Sequence, residues 1–226
     1  MLILFSYSQH CLYIISQSVN NTLIIPPLYL QNMIMKHRES PQATVDKVFA
    51  LYELHGDEDY IGEPVSQLEH MSQAAILARA DGYDDEVVLA AFFHDIGHLC
   101  AAAGAVSMNG FGNMDHEQLG ADYLLENGFS KRIAELVKSH VIAKRYLTYR
   151  YPEYYEKLSP ASKATLEFQG GRMNANEAHK FEANPDAQLI IKMREWDDQA
   201  KEINIPVDNI DWLKEIAKQH LIQQKY

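Results

Sequence analysis

The chain has 226 residues, 47% of them hydrophobic, enough to bury a substantial core within one domain. Its formal charge of −11 leaves no general basic field, which argues against nucleic acid or an anionic membrane surface as the main partner. The cysteines, Cys11 and Cys100, lie far apart and in no zinc-like spacing, which argues against a disulfide framework or thiolate metal site and fits a reducing cytoplasm.

Residues 1–35 contain no Asp, Glu, Lys or Arg, unlike the densely charged remainder. The stretch MLILFSYSQHCLYIISQSVNNT lacks the basic start and unbroken apolar core of a secretory signal, and no apolar run is long enough to span a bilayer. Residues 1–38 are read as a poorly ordered, low-charge extension without a function of its own, with Met33 or Met35 as a candidate native start, and residues 39–226 as the functional domain. From Ser40 on, helical periodicity dominates and strand alternation is nearly absent, so the expected fold is all-α. ATVDKVFALYELHG predicts a helix stopped by Gly56, and EPVSQLEHMSQAAILARADGY a second with Pro64 in its first turn and Gly82 past its end. One helix is expected over residues 85–99, capped by Asp84 or Asp85. A glycine-rich loop, AAAGAVSMNGFGNM, precedes a helix in DHEQLGADYLLENG, capped by Asp115 and ended by Gly128. Ser130 opens a long helix, and after a Tyr- and Pro-rich turn SPASKATLEFQGG gives a short one with Pro160 at its first position. PDAQLIIKMREWDDQAK and DNIDWLKEIAKQHLIQQ supply the last two.

The stretch AAFFHDIGHLC, residues 90–100, sets two imidazoles and a carboxylate in the most apolar turns of the chain. A buried ionised carboxylate without a partner is costly, so Asp95 requires an ion pair, hydrogen bonds or a cation. On a helix His94 and His98 share a face, Asp95 is turned about 100° from His94, and the doublet lies toward the C-terminal carbonyls, which favour positive charge. His140 and Lys144 continue the apolar stripe Ile133, Leu136, Val137, while His70 lies among small apolar residues and His116 opens a helix. Arg194 and Asp197 share a face with Ile190 and Met193. The candidate ligands are thus His70, His94, Asp95, His116, His140 and Asp197. Taken singly, most have plainer readings: a buried histidine is usually a satisfied core residue, Arg194 with Asp197 an ordinary ion pair, Lys144 a snorkelling side chain, Ser162 a solvent-facing one. The His94–Asp95 doublet alone is strong. His10, His37, His55, His179 and His220 occupy polar or terminal contexts and are read as surface residues.

HMSQAAILARADGYDDEVVLAAFFHDIGH resembles the HD superfamily of metal-dependent helical proteins, whose ligands are an early His, the His-Asp doublet and a late Asp, here Asp197 in MREWDDQAK. More narrowly, DYIGEPVSQLEH, HDIGH, MDHEQLG, SHVIAKRYL, LSPASKATLEFQGG and WDDQAK, in this order over residues 59–201, resemble the bacterial organophosphonate oxygenases of that superfamily. Those enzymes break the carbon–phosphorus bond of 2-amino-1-hydroxyethylphosphonate. The resemblance implies an HD-domain helical bundle and two iron ions in mixed valence. His70, His94, Asp95 and Asp197 would hold one, His116 and His140 the other, with Asp95 shared. It also implies that Tyr60 occupies an open position on the second iron until substrate arrives and that Glu63 recognises the substrate's amino or ammonium group. Lys144, Ser162, Arg194 and His98 would form the phosphonate pocket; Lys144 and Arg194, each one turn from a ligand, give an acidic protein the local cations a dianion needs, and SPAS could add helix N-terminal amides. The implied reaction takes a small phosphonate and O2 to phosphate and glycine or an N-substituted glycine, with no protein, nucleic-acid or membrane partner inferred. Contacts that tell a primary amine from a trimethylammonium group are expected in the loop at residues 109–114. The principal alternative is an HD-type phosphohydrolase acting on a nucleotide or small phosphate ester, and DYIGE ahead of His70 favours the oxygenase. Inositol oxidation ranks lower because that family has Lys where His98 stands, and a non-catalytic HD module should have lost ligands.

Overall fold

The computed structural model describes residues 3–7, 11–18, 21–24, 39–60, 62–100, 108, 114–203, 205 and 209–224, and the chain forms two units, residues 1–40 and 41–226. In the first, β1 (Ile3–Tyr7), β2 (Cys11–Ser18) and β3 (Asn21–Ile24) pair antiparallel in the order β1-β2-β3, with Ile15 opposite Ile3 on one side and Ile24 on the other. The sequence reading expected a poorly ordered extension here. Freedom from charge together with Ile, Leu, Tyr and Thr suits strand pairing, a signal that the charge count alone passes over.

The second unit is all-α, as the periodicity predicts. Its helices are α1 (Pro41–His55), α2 (Gln67–Ala80), α3 (Asp85–Phe93), α4 (Ile96–Cys100), α5 (His116–Glu126), α6 (Lys131–Arg150), α7 (Pro152–Lys157), α8 (Pro160–Phe168), α9 (Ala175–Glu182), α10 (Ala187–Gln199) and α11 (Asp211–Gln223). Most ends follow local chemistry. Asp84 caps α3 by accepting from the Val87 N–H, Ser130 caps α6 through Ile133, and Gly82 and Gly128 take φ values of 81° and 83° past the ends of α2 and α5. α2 starts three residues later than Pro64 suggested, because Ser66 and Glu69 form a reciprocal capping box. The expected helix over residues 85–99 is broken at His94 and Asp95. α7 and α9 appear where the sequence reading placed a turn or made no assignment; Pro152 starts the first, and Asn174 with Glu177 boxes the second.

Residues 87–93 of α3 are buried on every face, which makes this helix the centre of the bundle. Phe49 and Tyr52 of α1 pack on Phe92 with ring centroids 5.5 and 4.6 Å apart, and each such ring contributes roughly 1.5–3 kcal/mol of burial. α3 lies against α2 and α6, α5 against α4 and α6, and α10 against α2 and α6. Every helix expected to carry a ligand therefore meets at one place. No helix among the described residues is long and apolar enough to cross a membrane.

Candidate metal centre

Each candidate ligand is aimed by its helix. His70 stands one turn into α2, with its backbone N–H on Ser66 O at 3.0 Å. His94 closes α3 and Asp95 occupies the break before α4, so the carboxylate leaves the helical spiral and turns beside the imidazole. His116 opens α5, aimed by Asp115, whose left-handed φ of 57° replaces the side-chain cap expected of it. Gly97 permits the approach of α4 to α5: a Cβ there would lie 1.8 Å from the His116 carbonyl oxygen. His140 and Asp197 come from the interiors of α6 and α10.

The rings are fixed from behind. His70 Nδ1 donates to Ala200 O at 2.8 Å, His94 Nδ1 to Ala91 O at 2.8 Å, and His140 Nδ1 to Val137 O at 2.7 Å. In the neutral ring this leaves Nε2 with a lone pair. Yet His70 Nε2 faces His94 Nε2 at 3.0 Å, and His116 Nε2 faces His140 Nε2 at 3.1 Å. Asp95 lies between the two pairs. Its Oδ2 is 3.4 Å from His94 Nε2 and 3.8 Å from His70 Nε2, while Oδ1 is 3.4 Å from His116 Nε2 and 3.3 Å from His140 Nε2. Asp197 Oδ1 is 3.4 Å from His70 Nε2, and though buried it has no hydrogen-bond partner.

The donor set fits two cations. Two nitrogens about 2.1 Å from one ion lie about 3.0 Å apart at right angles and about 3.4 Å apart at the tetrahedral angle. Both observed spacings are close enough for each pair of imidazoles to share one ion, and imidazole with carboxylate suits iron or manganese. His70, His94 and Asp95 form one group of converging donors; Asp95, His98 and His116 form another. The electrostatics ask for positive charge. Burial pushes His94 down, but Asp95 and Asp197 outweigh it and raise the imidazole to about 9. Burial raises the Asp95 and Asp197 carboxyls, and the charges of His94 and Arg194 respectively override it, holding both well below the ordinary carboxylate range.

A cleft of about 550 Å³, including its open mouth, lies over this cluster. Its walls include Tyr60, Glu63, His98, Lys144, Ser162 and Arg194, so every remaining residue singled out from the sequence borders it. Tyr60 stacks on His70 with centroids 3.9 Å apart, and burial and the neighbouring carboxylates raise its hydroxyl well above the usual range. His98 stacks on His116 at 4.0 Å, and burial and the charge of His116 lower it to about 3. Lys144 donates to Thr165 Oγ1 at 2.9 Å, and burial and the Arg194 charge lower its ammonium to about 7. Arg194 donates Nη1 to Asp197 Oδ2 at 2.5 Å, Nη2 to Asp198, and Nε to the Tyr154 hydroxyl at 2.9 Å. Two of its five N–H groups remain for a ligand.

Sequence reasoning missed Gln67, Thr165, Gln169, Tyr154, Asp198 and Lys201, all on or behind the cleft walls. Ser162, Thr165 and Gln169 form an i, i+3, i+7 polar stripe along and just past α8 that periodicity could have exposed. His220 is a correction: it is buried, and its Nε2 accepts the N–H of Ser130 at 3.1 Å. His55 is half-buried and 2.8 Å from Glu58, His179 is exposed, and His10, His37 and residues 109–113 lie outside the described residues.

The HD domain family description matches residues 67–167. The chain is 39% identical over 212 residues to an uncharacterized protein, L432, of Acanthamoeba polyphaga mimivirus, covering 92% of this chain and 95% of that protein. It is 41% identical over 157 residues to the [1-hydroxy-2-(trimethylamino)ethyl]phosphonate dioxygenase (glycine-betaine-forming) of Leisingera caerulea, covering 70% and 80%. To the hydroxymethylphosphonate dioxygenase of Gimesia maris it is 37% identical over 179 residues, covering 78% and 88%. With the family description matched over residues 67–167 and identity sustained over most of each relative, the chain belongs to the HD-domain family, in the branch that contains these phosphonate dioxygenases.

Proposed function

We propose that the protein is an iron-dependent oxygenase that uses O2 to cleave the carbon–phosphorus bond of a 2-amino-1-hydroxyethylphosphonate-type substrate, giving phosphate and glycine. The reaction balances without a further reductant: the hydroxyphosphonate and one O2 contain the atoms of one glycine and one phosphate. The observation that carries the reading is the placement of a shared carboxylate between two histidine pairs, directly under a wall bearing Lys144 and Arg194.

His70, His94, Asp95 and Asp197 would hold one iron, and His116, His140 and Asp95 the other. Bound there, the pair supplies Lewis acidity and the electrons that activate oxygen. The chain's own side chains do the rest. Lys144, Ser162, His98 and the two unspent N–H groups of Arg194 receive the phosphonate oxygens, with His98 as a neutral donor. Tyr60 borders the metal centre from the turn before α2, stacked on His70, where it would occupy the open position on the second iron until substrate displaces it. Glu63 faces the amino end. Anchoring at both ends holds carbon 1 in one place, where positioning lowers the barrier.

The test is phosphate release from 2-amino-1-hydroxyethylphosphonate by iron-loaded protein in air and under nitrogen. Release confined to air, with glycine in equal amount, is expected. Release of phosphate from nucleotides under nitrogen would establish a hydrolase in its place.

A further inference from the structure

The turn that bears Tyr60 and Glu63 is held from outside by a residue on another element. Within the turn, the Tyr60 N–H donates to Val65 O and the Glu63 N–H to Tyr60 O, each at 2.9 Å. Lys201, two residues beyond the end of α10, reaches it and donates Nζ to Glu63 Oε1 at 2.8 Å. The same ammonium lies 5.8 Å from the centroid of the Tyr60 ring, which is also stacked on His70. A carboxylate and an aromatic face are the features that hold a permanent cation, and here Lys201 already engages both.

What this wall leaves unanswered is a hydrogen bond. Gln67 lines the cleft and is only 6% exposed, and its buried Oε1 has no hydrogen-bond partner. A buried carbonyl oxygen without a donor is a standing deficit, removed by a ligand N–H or O–H and left in place by a methyl group.

We propose that Gln67, acting with the Lys201–Glu63 pair, selects hydroxyphosphonates whose 2-substituent donates a hydrogen bond, a primary amine above all, against the trimethylammonium analogue. This rests on the phosphonate reading above and decides which substituent the nitrogen carries. A primary ammonium and a trimethylammonium bring the same charge, so charge cannot separate them; donors can. Lys201 weakens the pull of Glu63 on any cation and so leaves the choice to hydrogen bonding. The Leisingera caerulea relative is named for the trimethylamino substrate, the alternative that the experiment below sets against the amine.

The experiment compares 2-amino-1-hydroxyethylphosphonate with its trimethylammonium analogue on the full chain, reading kcat/KM in air and Kd by calorimetry under nitrogen. The unaltered protein is expected to favour the amine by at least about a hundredfold in kcat/KM. Gln67→Met should lower the amine's kcat/KM and affinity by about tenfold or more while leaving the analogue nearly unchanged. Lys201→Met, which bares the Glu63 carboxylate, should improve both substrates severalfold without favouring the analogue over the amine, and Lys201→Arg should restore the original values. Equal or better use of the analogue by unaltered protein, or a parallel loss of both substrates in Gln67→Met, overturns the selection. No improvement of either substrate in Lys201→Met overturns the part assigned to Lys201. If the unaltered protein neither binds nor consumes either phosphonate, the phosphonate reading itself falls and the selection with it.

Discussion

Asp95 is 3% exposed and remains ionised because four imidazoles face its two oxygens. Removing any one ring changes what each oxygen can share. His140→Ala is expected to lower bound iron from two ions to one and to abolish phosphate release, read by metal analysis on the same sample as the assay. Asp197→Ala should cost about 3–5 kcal/mol in addition to a metal, since it removes one carboxylate partner of buried Arg194; a fall in unfolding midpoint reads the first effect. Lys144 gives a pH dependence with a definite sign. Its ammonium is held near 7, so it is charged below that pH and neutral above, and KM for a phosphonate should be flat below pH 7 and rise about tenfold per unit above it. Lys144→Arg should remove that rise. In an unfolded chain a lysine keeps its proton to about 10.4, so between those values this residue makes the fold more stable as pH increases. At this scale the candidate pair His94 and Asp95 was legible because a charged doublet in an apolar run has few explanations, whereas His70, His116, His140 and Asp197 each had a plainer reading alone. Lys201, Tyr154 and Asp198 were not legible, since their meaning lies in partners distant in the chain or on the neighbouring turn: Glu63 for the first, Arg194 for the other two.

Helix ends were readable wherever a cap spoke for itself, as at Asp84, Ser130, Gly82 and Gly128. The start of α2 was readable too, in Ser66-Gln67-Leu68-Glu69, but Pro64 gave a competing signal and Ser66 with Glu69 won because together they satisfy two backbone N–H groups. Ser66→Ala should lower stability by about 1 kcal/mol, and because His70 donates its backbone N–H to Ser66 O, metal content should fall with it on mild heating. The break between α3 and α4 was invisible in the hydrophobic pattern, which continues unbroken across it. In the proposed reading it is the element-scale device that would let Asp95 share the ion of its neighbour His94 and also reach a second one. Gly97 belongs to the same device: Gly97→Ala forces α5 away from α4 and should cost about 1–3 kcal/mol, with His116 displaced and phosphate release reduced more than thermal stability.

The bundle as a whole followed from periodicity and length, whereas the strands at residues 3–24 did not, because an uncharged N-terminal stretch has more than one physical reading. All site residues lie in residues 41–226, so deleting residues 1–38 should leave metal content and phosphate release unchanged, measured against full-length protein. Across the same unit, three of the four imidazoles that face Asp95 are tied to main-chain carbonyls, at Ala91, Val137 and Ala200. Such rings cannot swing away when their ions are chelated, because turning would strand a buried N–H. A stripped protein should therefore keep its shape and draw protons into the gaps between facing nitrogens, and reconstitution in a weakly buffered solution should acidify it as each ion evicts them.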